Sequence, residues 1–85
     1  MKLKSTFVTH ETGDGLLMIS AGGSFNGMVR SNNTAKDIIN LLKSDITEEG
    51  IVDAMLEKYD AERSVIEADV TSIVASLRKI GAIDE

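Results

Sequence analysis

The chain changes character once, near residue 33, and that break constrains the fold more than any other feature. Before it come short alternating or β-branched segments punctuated by glycine. After it, apolar residues recur at helical spacing and no proline interrupts them. A half-buried strand repeats every two residues and a helix about every 3.6. A chain of 85 residues that switches from the first period to the second predicts one α+β domain over residues 1–85, with the sheet at about 6–31 and helices at about 33–83.

In the first part, Thr6 to Glu11 reads as a strand. Gly13-Asp14-Gly15 supplies an Asp-Gly turn, whose positive φ values suit a tight hairpin. Leu16 to Ser20 is a strand with a continuous apolar run, as expected of a segment covered on both faces. Gly22-Gly23 marks a second turn, and Phe25 to Ser31 a third, short strand weakened by Gly27. The three segments predict an antiparallel meander.

In the second part, Asn32, Asn33 or Thr34 offers a side-chain oxygen to cap a first helix. Its apolar positions are Ala35, Ile38, Ile39, Leu41 and Leu42, and it is expected to stop near Ser44. Thr47 caps a second helix, with Glu48 and Glu49 at the positive end of its dipole and a stripe of Ile51, Val52, Met55, Leu56 and Tyr59. A third helix runs from about Arg63 to Ile80, closed by Gly81 at the left-handed C′ position. At 100° per residue its core face is Ile66, Val70, Ile73, Leu77 and Ile80. One flank holds Val65, Asp69, Ser72 and Ser76; the other holds Glu67, Thr71, Val74 and Arg78. A serine flank is either an ordinary boundary or a place where another backbone approaches closely. Strands followed by three helices in so short a chain give a winged-helix-like arrangement, a three-stranded antiparallel sheet followed by a three-helix bundle.

Chemistry is sparse. Without cysteine there is neither a disulfide framework nor a thiolate metal site. His10 is the single histidine, and on a strand it reads as an exposed or half-buried side chain rather than a base or ligand. Acidic pairs sit at helix starts, where the dipole explains them. The glycines open no helix that would cradle phosphate. The expectations are no catalytic residue, no metal, no cofactor and no enzyme. With no signal-peptide pattern and no span-length apolar run, a soluble cytoplasmic protein is expected, away from membranes.

One structural feature remains. As the last strand of a meander, the third strand is a sheet edge with unpaired N–H and C=O groups. Either Arg30 protects it, or it is open because a peptide completes it by strand addition.

The run Phe25-Asn26-Gly27-Met28-Val29-Arg30-Ser31-Asn32-Asn33-Thr34-Ala35 resembles the "FNG-hydrophobic, LNxTA" segment of the PqqD-like family. The likeness continues through Ile51 to Asp60, Glu67-Ala68-Asp69-Val70 and Leu77-Arg78-Lys79-Ile80-Gly81. The resemblance implies a RiPP recognition element, a winged-helix-like domain that binds the leaders of ribosomally made precursor peptides. In such domains the leader is added along the third strand, packs against the third helix, and is presented to a radical SAM or other peptide-modifying enzyme. Carried over, the strand contact falls on Gly27, Met28, Val29 and Arg30, and the helix contact among Val65, Ile66, Asp69, Ser72, Ile73 and Ser76. The chain departs from the pattern of proteins serving pyrroloquinoline quinone synthesis. Their Pro-Glu-Gly turn and Cys-Asp-Gly are replaced here by Ser24-Phe25-Asn26-Gly27 and Lys43-Ser44-Asp45-Ile46, and the leucine before the Asn cap by Ser31. These differences favour another peptide-maturation pathway.

Two other readings use the same elements: a winged-helix DNA-binding or transcription-regulatory protein, and a homodimer joined through the open edge. Charge weighs against the first. Residues 1–34 carry Lys2, Lys4 and Arg30 against Glu11 and Asp14, a balance of +1, while six basic and twelve acidic residues leave 35–85 at −6, for a total of −5. A helical half of that sign repels a duplex and forfeits counterion release. A labelled DNA duplex titrated at low salt is therefore expected to show no sub-micromolar, salt-sensitive binding.

Overall fold

A computed structural model describes residues 1–20 and 28–85. In chain order the elements are β1 (Lys2–Leu3), β2 (Phe7–Thr12), β3 (Gly15–Ser20), β4 (Met28–Asn32), α1 (Asn33–Leu41), α2 (Glu48–Lys58), α3 (Arg63–Lys79) and β5 (Ile83–Asp84). The strands β2-β3-β4 form the expected antiparallel sheet, and three helices follow it. The Gly22-Gly23 turn and the first part of the expected third strand, Phe25 to Gly27, lie outside the described residues.

The hairpin between β2 and β3 is closed by Gly13 and Asp14, with Thr12 opposite Gly15. Among the described residues only Gly81 has a positive φ, 75°, so this turn lacks the positive values expected of it. Gly15 is required for a different reason. A Cβ built there would fall on the carbonyl oxygen of Ser31, so β4 crosses where a side chain would stand. The apolar run of β3 is also covered on one face only. Leu16 and Met18 are fully buried, whereas Leu17 is half-buried and Ile19 is 42% exposed. Leu16 and Met18 join Phe7 in the core beneath the helices, and the opposite face has no layer on it among the described residues.

Asn32 ends β4 and caps α1, its side chain accepting the Ala35 N–H at 2.9 Å. The helix stops at Leu41, slightly earlier than Ser44. Thr47 caps α2 by accepting the Gly50 N–H at 3.0 Å. Asp37 on α1 accepts from the Tyr59 hydroxyl and from Lys58 at 2.9 Å, which ties the first helix to the end of the second. Burial pushes the Asp37 carboxyl up, but the hydrogen bonds from Tyr59 and Lys58 outweigh it and hold the group below its ordinary value.

Helix α3 ends in a left-handed turn: Gly81 N–H bonds to Arg78 O at 3.0 Å and Ala82 N–H to Leu77 O at 2.8 Å, the two bonds of a Schellman cap. Its buried residues are Ile66, Val70, Val74 and Leu77. Val74, expected on a flank, is fully buried, while Ile73 and Ile80, expected in the core, are half-buried. The buried stripe is thus turned by about 35° from the one that the helical period predicts. The period finds the most apolar face, but contact with α2 and α1 decides which face is seated.

The two-residue strands β1 and β5 carry no periodicity and were not expected; Ile83, inside the span of about 33–83 assigned to helices, belongs with Asp84 to a strand. They pair antiparallel, Leu3 opposite Ile83, and both side chains enter the core. Leu3 N–H also bonds to Leu42 O at 2.7 Å and Lys4 N–H to Ala82 O at 2.8 Å, so both ends of the chain are strapped to the helical half.

Gly15→Ala is expected to destabilise the fold by roughly 2 kcal/mol, as overpacking against backbone does. Gly13→Ala, where a Cβ meets nothing within 4 Å, is expected to change stability by no more than about 0.5 kcal/mol. Denaturant midpoints of the two variants check the contrast.

Candidate peptide-binding edge

The register of the sheet determines which backbone groups of β4 are free. A hairpin with a two-residue turn closes on a hydrogen-bonded pair, and bonded and non-bonded pairs then alternate along the ladder. From Thr12 and Gly15, the bonded pairs with β2 are therefore His10–Leu17 and Val8–Ile19. Leu16 and Met18 turn their N–H and C=O groups the other way, toward Ser31 and Val29 of β4. The Ser31 carbonyl, standing where a Gly15 Cβ would be, points at β3 and agrees with this assignment. Met28 and Arg30 consequently direct their backbone groups away from the sheet, along an edge that no described strand covers.

Side chains on β4 alternate in the same way. Met28 is 63% exposed and Arg30 is exposed, on the uncovered sheet face with His10 and Ile19. Val29 and Ser31 are half-buried on the helix side. On α3, Val65 is 52% exposed, and Asp69, Ser72 and Ser76 are exposed as well. Ile73 borders this flank and is half-buried. Ile66 is 4% exposed, so its side chain is committed to the core and supports the flank from beneath. Gly27 lies outside the described residues.

The turn of α3 toward Val74 changes both flanks. Val74 is in the core, and Glu67 and Thr71 of its flank line a cleft of about 240 Å³ with Glu48, Glu49, Val52, Arg63 and Val70. The same turn brings Ile73 and Ile80 up beside Asp69, Ser72 and Ser76, giving the serine flank an apolar border. Val29 on β4 and Ile73 on α3 both pack on the one core while keeping part of their surface open. Among the described residues no hydrogen bond or ion pair joins β4 to α3, so the two meet only through that core.

Displaced ionisation belongs to structural pairs. Arg63 is held charged above its ordinary range by its hydrogen bond to Asp53, and Arg78 by its hydrogen bonds to Glu85. His10 stands exposed on the outer sheet face, opposite Leu17. No sequence signal marked the direction of the Met28 and Arg30 backbone groups, because it depends on the register of β3 against both neighbours.

A family model, coenzyme PQQ synthesis protein D (PqqD), matches residues 10–83. No curated protein matches the chain. Among solved structures, TbiB1 in complex with the TbiA(beta) leader peptide is 22% identical, with a TM-score of 0.79 over 99% of this chain and 100% of that one. A lasso peptide synthetase B1 complexed with the leader peptide is 21% identical, with a TM-score of 0.77 over 95% of this chain and 93% of that one. At these identities the likeness is one of fold.

The geometry separates two neighbouring residues. Proline lacks an N–H and is tolerated on an edge only where that group faces outward. Arg30→Pro is expected to keep the melting temperature near wild type while removing one donor from the free edge, a loss on the order of 1 kcal/mol to anything paired there. Val29→Pro breaks a bond to β3 and is expected to lower the melting temperature instead. Thermal melts and titration with a strand-forming ligand distinguish the pair.

Proposed function

The chain belongs to the PqqD family, and from that premise we propose that it binds the leader of a ribosomally synthesised precursor peptide by strand addition along β4 and presents it to a maturation enzyme. The observation that carries this reading is an edge that no described strand covers, with the Met28 and Arg30 backbone groups directed outward; the reading takes the exposed serine flank of α3 as the second wall. Two fold neighbours, TbiB1 and a lasso peptide synthetase B1, were captured with leader peptides, which supports it. The role is binding without catalysis, and the modifying chemistry resides in a radical SAM or other partner enzyme. The departures at Ser24 to Gly27, Ser31 and Lys43 to Ile46 favour a peptide-derived product other than pyrroloquinoline quinone.

Magnitudes indicate how the edge and the flank divide the work. Met28 and Arg30 offer about four backbone hydrogen bonds, each worth about 1 kcal/mol net, which alone corresponds to a dissociation constant of about 1 mM. Micromolar binding requires roughly 4 kcal/mol more, or about 160 Å² of apolar burial before any ordering cost. Leader side chains placed against Val29, Ile73 and Val65 are the source of that burial. Specificity then lies in the groove, and the strand edge supplies direction and register.

Helix α3 weighs against the DNA-binding alternative. A recognition helix presents free polar and basic side chains at its N-terminal end. Here Arg63 is engaged by Asp53 at 3.0 Å and Glu67 at 3.5 Å, and its exposed neighbours are Ser64, Glu67, Ala68 and Thr71. A homodimer through β4 uses the same edge as the leader, so the two states exclude each other.

A labelled leader from the precursor gene nearest the chain's own is expected to bind, and Ser72→Phe or Ser76→Phe to weaken it about tenfold or more with the melting temperature retained. Fluorescence anisotropy with each variant provides the check. Undiminished affinity in both variants, or a leader that binds no better than a scrambled peptide, overturns the reading.

A further inference from the structure

On the far side of the sheet from β4, the segment between β1 and β2 and the end of α1 enclose a cleft of about 220 Å³, lined by Lys2, Leu3, Lys4, Ser5, Phe7, Thr9 and Lys43. Every charged residue in that lining is a lysine, although the chain carries 14 acidic residues against 9 basic ones. Lys36, Lys58, Arg63 and Arg78 are used in ion pairs elsewhere. Among the described residues, Lys2, Lys4 and Lys43 have no such partner. Asp45 is close enough to feel Lys2, but it is held by the N-terminal amine at 2.8 Å and does not line the cleft.

The fold holds these lysines in place. Lys2 and Lys4 flank Leu3, whose N–H is bonded to Leu42 O at 2.7 Å, and Lys43 is the next residue along from that carbonyl. Lys4 N–H is fixed to Ala82 O at 2.8 Å, and Phe7 N–H to Lys4 O at 3.1 Å, which turns the chain into β2. Lys2 stands opposite Asp84 across the β1–β5 pair and also feels Asp45, whereas no acid lines the cleft beside Lys4 and Lys43. The hairpin alternation that frees Met28 and Arg30 also directs the N–H and C=O of Thr9, one of the lining residues, out of the β2 edge. The site therefore combines positive charge, a strand edge and hydroxyls from Ser5 and Thr9 above the buried side chains of Leu3 and Phe7.

We propose that this cleft is a second binding site, for an extended, carboxylate-rich peptide segment of a partner protein, separate from the β4 edge. Its carboxylates meet the three ammonium groups, its backbone pairs at Thr9, and small apolar side chains between the acids lie over Leu3 and Phe7. A bare phosphate uses the charge but neither the strand edge nor the apolar floor, and a duplex must also approach the −6 helical half. The site makes this acidic protein locally attractive to an acidic partner while β4 is occupied.

The probe is a short labelled peptide alternating glutamate and leucine, titrated against the full chain at low salt, with a lysine–leucine peptide as control. Binding is expected for the first peptide alone, weakening with added salt. Lys4→Ala and Lys43→Ala are each expected to lower the affinity about fivefold, with melting temperatures close to wild type because both side chains are exposed. Amide shifts on binding are expected at residues 2–9 and 43. Arg30→Pro is expected to leave this affinity unchanged, so loss of leader binding and loss of this site are read separately. No binding to the wild type, equal affinity in the lysine variants, equal affinity for inorganic phosphate or duplex DNA, or loss of the probe in Arg30→Pro each overturns the proposal.

Discussion

The pairing of Leu16 with Ser31 and of Met18 with Val29 is the constraint on which the rest of the structure depends. A slip of one residue there would exchange the two faces of β4 and reverse the direction of every backbone group on its outer edge. Val29 would leave the core, and Met28 and Arg30 would turn inward. Two local features hold the register. Gly15 admits the Ser31 carbonyl where any side chain would exclude it. One residue later Asn32 stops the strand and caps α1, so the sheet cannot shift without uncapping the helix.

The helical half serves the edge by what it leaves uncovered. With α1 packed on β3 and β4 and α3 packed mainly on α2, the core is closed under the sheet, and no described strand covers the outer edge of β4. Seating α3 on Val74 rather than on Ile73 keeps an isoleucine at the margin of the flank that holds Val65, Asp69, Ser72 and Ser76. The strap of β1 against β5 then joins the two ends of the described fold and carries Leu3 and Ile83 into the core.

Charge is arranged in the same spirit. Most basic side chains of the helices are tied to neighbouring acids: Lys58 to Asp37, Arg63 to Asp53 and Glu67, Arg78 to Glu85. Exposed pairs of this kind contribute little stability each. They do leave the helical surface with its excess of carboxylates, while Lys2, Lys4 and Lys43, outside those pairs, line the cleft beside β2. The sheet thus presents two edges of different character: β4 with free backbone groups and mixed side chains, β2 with a basic cleft.

The order of the three sheet strands and three helices, a cap among Asn32, Asn33 and Thr34, the cap at Thr47, the left-handed Gly81 and the edge position of the third strand were legible in the sequence, because most of them depend on residues within a few positions of one another. The family resemblance was legible for the same reason, as a series of local runs in a fixed order. What tertiary structure alone decided has a common physical origin, the contact of segments distant along the chain. Gly15 is glycine because of a carbonyl on β4, and not because of its own turn. Val74 is core because α2 lies there, and Leu3 and Ile83 are core because the chain ends meet. Whether Met28 or Val29 turns its backbone outward was undetermined until β3 was placed in register with both neighbours, since a strand's own sequence carries a period of two and no sign for it.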